Sequence, residues 1–219
     1  MIRLHHCPQT RSMRSLWLLH ELGIPFEVVT HGFDKTLRDP AYLALSPAGR
    51  VPALEIEDRT VFETGAICEI LCEQFPEAGL GRAVDHPERQ DWLVWLHFAE
   101  TVSQHVAALT QQHIMLREDW MRSATVMKLE ARRLERCYDG IEARLQGRKY
   151  LLEAFSAVDI CVGQAVYLGR FFASVASHPA VAAWMERLMA RPAFQASLPQ
   201  AGEPQLYSDA GYAVPEAAS

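Results

Sequence analysis

The sequence predicts a small α/β domain followed by an all-helical one, and three observations carry the prediction. Strand and helix patterns alternate over roughly the first 80 residues. From Pro87 onward only long helical periodicities appear. Between the two, Glu77 to His86 is rich in Gly, Ala and charge, as a linker is. The boundaries drawn from this are 1–78, a linker at 79–86, and 87–219.

Residues 2–6 read as a short strand, and Met13, Leu16, Trp17 and His20 recur at helical spacing from about Arg11 to Leu22, with a stop at Gly23. After Pro25 the run Phe26-Glu27-Val28-Val29-Thr30 is a second strand, which completes a βαβ unit. Asp39-Pro40 opens a short helix that Ser46-Pro47-Ala48-Gly49 breaks. Pro52–Ile56 and Thr60–Phe62 form a hairpin around Glu57-Asp58-Arg59, and a helix follows from about Thr64 to Gln74. The order βαβ then ββα is the layout of a thioredoxin-like domain. In the second half, apolar residues mark four helices: Trp92 to Val106, Leu134 to Leu145, Ile160 to Phe171, and Val181 to Leu188. The tail beyond about Leu198, with Pro199, Gly202, Pro204 and Pro215, is expected to be irregular.

Composition narrows the function classes. The chain has 219 residues, 49% of them hydrophobic, enough to bury a core without a metal or disulfide. A net charge of -6, with 21 basic against 27 acidic residues, argues against a nucleic-acid partner. Neither a signal-peptide pattern at Met1–His6 nor a membrane-length apolar run is present, so a cytoplasmic protein is expected. Cys7, Cys68, Cys72, Cys137 and Cys161 are odd in number and fit free thiols in a reducing compartment. Cys68 and Cys72, four apart on a helix, are read as buried apolar thiols in preference to a metal clamp, and no metal is expected.

Three segments carry chemistry. Arg50-Val51-Pro52-Ala53-Leu54 puts a proline at a strand start, where a cis Val-Pro bond would turn the Val51 backbone outward for an extended peptide to pair with. The alternative is a trans proline that merely opens an edge strand. Phe62-Glu63-Thr64-Gly65 sets an acid and a hydroxyl where a strand gives way to a helix. The helix start and Thr64 suit a carboxylate, and Glu63 suits an ammonium, so a zwitterionic amino-acid end fits. Taken alone, Thr64 is an ordinary N-cap. Finally, Ser156-x-x-Asp159 reads as a capping box with a Phe155–Ile160 staple, a folding element and not a site.

The opening His5 to Gly23, the Pro-Ala-Gly-Arg-Val-Pro segment ending at Pro52, Glu63-Thr64 before Ala66-Ile67, and Ser156-x-x-Asp159 occur in the order seen in the cytosolic glutathione transferase superfamily, which the whole chain resembles. The stretch His5-His6-x-x-x-Thr10-Arg11-Ser12-x-Arg14 looks most like a bacterial and fungal branch with an SRSxR-type motif. The resemblance implies a glutathione S-transferase that presents glutathione as a thiolate to small hydrophobic electrophiles, with a role in detoxification. Val51 and Pro52 would meet the cysteinyl unit, Glu63 and Thr64 the γ-glutamyl end, and Arg50 the glycine carboxylate. Glutathione is the co-substrate, a homodimer is implied, and neither nucleic acid nor membrane is a partner.

The residue that activates the thiol is expected between Cys7 and Ser12. Thr10 stands where the related branch has the first Ser of its motif and comes first, with Ser12 next; each can equally be the N-cap of the first helix. Cys7-Pro8 points to a different chemistry, glutathione-dependent disulfide reduction or peroxide reduction through a nucleophilic Cys7. Counted from Gly23, however, Cys7 lies about two residues early for that duty and reads as a buried thiol. A third reading keeps the fold as a non-catalytic glutathione- or protein-binding module. The electrophile is expected between the domains, facing the loop after the first strand and the helix carrying His105, Gln112 and Met115, three residues that read first as ordinary helix positions.

Overall fold

The computed structural model describes residues 1–203 and 205–213; Pro204 and Pro215 of the expected irregular tail lie outside the described residues. Chain contacts divide it into two compact units. The first comprises Met1–Trp92 with Met189–Leu206, the second Leu93–Leu188 with the described residues from Tyr207 onward.

In the first unit, β1 (Ile2–His6), β2 (Glu27–Thr30), β3 (Ala53–Ile56) and β4 (Arg59–Phe62) form one sheet in the order β2-β1-β3-β4. β1 runs parallel to β2 and antiparallel to β3, and β3 is antiparallel to β4. The parallel pair needs a crossover, which α1 (Ser12–Leu22) supplies. Gly23 ends α1 in the left-handed conformation at φ 65°, where a side chain is disfavoured. α2 (Pro40–Leu43) is a single turn, and α3 (Thr64–Gln74) buries Ile67, Cys68, Leu71 and Cys72 along one stripe.

α8 (Pro192–Ala196) lies beyond the boundary expected at residue 87 yet groups with the first unit. Its Phe194 meets Trp17 edge-to-face at 4.9 Å, and Arg191 makes a two-pronged ion pair with Glu21 at 2.6 and 2.7 Å. Both rings are almost wholly buried, so this contact removes a large apolar area from water.

The second unit is helical: α4 (Arg89–Thr110, begun in the first unit), α5 (Ala124–Leu145), α6 (Ala157–Gly169) and α7 (Pro179–Met189). No strand occurs in it among the described residues. Every residue of α6 is buried, which makes it the core helix of this unit. The box expected at Ser156 is present: the buried Asp159 carboxylate accepts from Ser156 N–H at 3.0 Å. It also accepts from Leu151 N–H and Trp184 Nε1–H, each at 3.0 Å, so one side chain ties the loop before α6, the start of α6 and α7 together. No helix among the described residues is long and apolar enough to cross a membrane.

Candidate functional site

The loop from β1 to α1 collapses around Ser12. Its Oγ, with the residue 0% exposed, accepts from Cys7 N–H at 3.0 Å and lies 2.8 Å from both Thr10 Oγ1 and His6 Nδ1. The Thr10 hydroxyl donates to the Cys7 carbonyl at 2.8 Å, and Ser12 Oγ stands 3.1 Å from that same carbonyl. Two hydroxyl protons are thus shared among internal acceptors. Both expected activators are buried, Ser12 at 0% exposure and Thr10 at 9%. Burial drives the His6 imidazole down to about 4, so at neutral pH it is uncharged and can accept from Ser12.

Cys7 is 3% exposed, and its thiol is pushed up to about 11, chiefly by burial and further by the charges of Asp34 and Glu203. A thiol in that state offers almost no thiolate at neutral pH.

The Val51–Pro52 bond is cis. β3 begins its pairing at Ala53, so the Val51 backbone stands outside the ladder. The Arg50 side chain is exposed, while its carbonyl accepts from the buried Tyr42 hydroxyl at 2.8 Å. The turn is therefore fixed from beneath by α2.

At the head of α3, Glu63 and not Thr64 occupies the N-cap position, with φ 72° and ψ 120° and its side chain exposed. Among the described residues three non-glycines have positive φ: Gln9 before α1, Glu57 in the β3–β4 turn, and Glu63. Thr64 begins the helix; its hydroxyl accepts from the buried Arg14 guanidinium at 3.2 Å, which ties α1 to α3. Arg14 thus brings a positive charge to the Glu63–Thr64 corner.

Sequence reasoning missed a further group. His5 and His31 stack with ring centres 5.2 Å apart, Tyr42 meets both rings edge-on, and Glu55 is bonded to His5. Nothing local in the sequence links residues so far apart; only the parallel β1–β2 register, which sets His31 just past Thr30, brings the histidines together.

In the helical unit, His105 bonds Glu130 at 2.6 Å, Gln112 accepts from Ser123 N–H at 2.7 Å, and Met115 is exposed. The first two therefore serve the fold. A depression of about 510 Å³ in this unit is lined by Glu135, Asp139, Glu142 and His178. His178 bonds Asp139 at 2.9 Å, and Glu142 accepts from Ala180 and Val181 N–H, so these groups hold α7 to α5. Among the described residues, no three His, Cys, Asp or Glu side chains converge as a metal site requires.

Residues 6–74 match the family model described as glutathione S-transferase, N-terminal domain, and residues 104–192 the one described as glutathione S-transferase, C-terminal domain. Glutathione S-transferase 3 of Zea mays is 30% identical over 211 residues, covering 89% of this chain and 91% of the relative. Among solved structures, a glutathione S-transferase from Xylella fastidiosa superposes with a TM-score of 0.80 at 25% identity, over 90% of this chain and 97% of that one. A sphingomonad glutathione S-transferase complexed with glutathione gives 0.75 at 26%, over 90% and 96%. With fold, element order and sequence in agreement over nearly its whole length, the chain belongs to the glutathione S-transferase family.

Proposed function

We propose that the chain binds glutathione at the corner formed by Arg50, Val51, Pro52, Glu63 and Thr64 and transfers it, as a thiolate, to a small hydrophobic electrophile. The thiolate sulfur forms a bond to carbon while a leaving group departs with its electron pair or, in an addition, solvent supplies a proton. The observation that carries the reading is Glu63. A non-glycine held at φ 72° costs about 1–3 kcal/mol, and such residues cluster where a ligand must be gripped. Its exposed carboxylate has no capping bond and suits the γ-glutamyl ammonium. Next to it, the head of α3, Thr64 and Arg14 favour the α-carboxylate. The Val51 backbone, outside the ladder, suits pairing with the cysteinyl unit, and the exposed Arg50 suits the glycine carboxylate.

For activation, a glutathione thiol near pKa 8.5 needs about 2.7 kcal/mol to drop two units. Thr10 is the group we assign to the sulfur, because it is the less deeply buried of the two hydroxyl residues; Ser12 acts by holding Thr10. A charge-assisted bond from Thr10 is worth about 1.5–3 kcal/mol, enough to compensate for releasing the Cys7 carbonyl once the head of α1 adds its dipole. The buried, poorly acidic Cys7 disfavours the reductase alternative. The same reading has the chain acting in the cytoplasm as a homodimer, in detoxification.

Calorimetric titration with glutathione, paired with conjugation to an aryl halide, tests the proposal. Binding and conjugation are expected in the wild type, with Glu63→Ala losing about tenfold or more in affinity. Absence of glutathione binding by the wild type overturns it.

A further inference from the structure

Five side chains on or just past β1 and the strands beside it form a hydrogen-bonded chain whose histidine end meets Tyr42, the residue that holds the Arg50 carbonyl. Glu27 accepts from Arg3 Nε at 3.0 Å, Arg3 reaches Glu55 at 3.4 Å, Glu55 meets His5 Nε2 at 2.9 Å, and His5 Nδ1 meets His31 Nε2 at 2.9 Å. Asp34 and His5 act on His31 through their charges, and His31 in turn acts on His6 on the neighbouring strand position. Tyr42 closes the group: its ring lies 5.8 Å from His5 and 4.9 Å from His31, and its hydroxyl holds the Arg50 carbonyl. The remaining titratable neighbour of Tyr42 is Cys7, which is protonated in this range.

The chemistry of this chain restricts its proton count. A carboxylate only accepts, so His5 Nε2 must carry a proton toward Glu55. The bond between His5 Nδ1 and His31 Nε2 then needs one proton, from either ring. One extra proton is accommodated without loss, either on the far nitrogen of His31 near Asp34 or by making His5 a donor on both sides. A second extra proton makes both rings donors along the 2.9 Å line, and the bond cannot survive.

We infer that the His5–His31 pair and Tyr42 form a proton-sensitive positioning unit for the Arg50–Val51 turn, releasing it when both imidazoles become charged. This rests on the reading that the turn holds glutathione. Tyr42 is a positioning residue, because it touches the Arg50 carbonyl and not the ligand's reacting sulfur. Once both rings are charged, His31, the less buried of the two and at the end of its strand, swings outward and removes one wall of the Tyr42 ring. The hydroxyl then no longer fixes the Arg50 carbonyl. Burial and the neighbouring His5 hold His31 below the ordinary histidine value, with Asp34 partly opposing. Release therefore belongs to the acid side of the ordinary histidine value, and the turn is held at neutral pH and above.

The test uses S-methylglutathione, whose sulfur carries no proton, so that thiol ionisation cannot mimic the effect. Its affinity is measured by calorimetry from about pH 8 to about pH 5. For the wild type, affinity is expected to be level at the upper end and to fall about tenfold on acidification. His31→Gln should flatten the profile. Tyr42→Phe, which keeps the ring and removes the donor, should weaken binding about three- to tenfold at neutral pH and also flatten the profile. A wild-type affinity independent of pH, or a Tyr42→Phe variant with the wild-type profile, overturns the inference. The Arg50 carbonyl carbon shift, followed by NMR without ligand, separates this from the glutathione reading. A shift that titrates with His31 and loses that titration in Tyr42→Phe upholds the positioning unit whether or not glutathione binds. A shift that ignores pH refutes it.

Discussion

Arg14 in α1 donates to the hydroxyl of Thr64 at 3.2 Å across fifty residues of sequence, and both are buried. This contact joins the two helix starts of the candidate site. Thr64→Val keeps the shape and leaves the guanidinium facing a methyl group. Stability should fall by about 1–3 kcal/mol in urea titrations, and glutathione affinity by about tenfold. Thr64→Ser restores the oxygen and should recover most of both.

Glu63 sets stability against binding. Glycine at position 63 relieves the positive φ but adds freedom to the unfolded chain, for a net gain of about 1 kcal/mol. Glu63→Gly should therefore raise the urea midpoint while glutathione affinity falls, whereas Glu63→Ala should lower affinity without any gain in stability. A Glu63→Gly protein that binds like wild type would sink the assigned role.

The two loop hydroxyls should separate kinetically. Thr10→Val removes the proposed donor to sulfur and should lower kcat of conjugation by about a hundredfold with little change in glutathione affinity. Ser12→Ala strips the partner of Cys7 N–H, Thr10 and His6 together, so it should cost stability as well as rate. Cys7→Ser is expected to conjugate normally.

His6 makes the fold acid-sensitive. Its ordinary value of 6.5 falls to about 4 in the folded chain, so in between the unfolded chain binds the proton and the folded one does not. Its contribution is complete above about pH 6.5 and is lost on the way down to about pH 4, amounting to about 3 kcal/mol. Urea midpoints at neutral pH and at about pH 4.5 should show the drop, and His6→Asn should reduce the slope.

Asp159 is expected to dominate the helical unit. Replacing it with alanine strands three donors, on Leu151, Ser156 and Trp184, inside the core. A loss of about 3 kcal/mol or more is expected in denaturant titrations.

Much of this was legible in the sequence. Strand and helix periods, with Gly23 and Pro25 as punctuation, mark the strands and α-helices of residues 1–74 to within a residue or two, because local sterics and one-sided burial act over short stretches. The capping box at Ser156 was readable for the same reason: its partners are three residues apart. The identity of the N-cap at α3 was not, since a glutamate with positive φ contradicts local preference.

The sequence by itself determined the class of fold, the family and the segments that carry the candidate site, since each depends on neighbours along the chain. Tertiary structure alone decided the rest. It sealed Ser12 and Thr10 together in the β1–α1 loop, brought Arg14 to Thr64, set α8 against α1, and gathered the rings of His5, His31 and Tyr42, whose hydroxyl holds the Arg50 carbonyl. Burial and charge act through space, and the side chains that share a desolvated site are selected by strand register and helix packing, which no local window of sequence records.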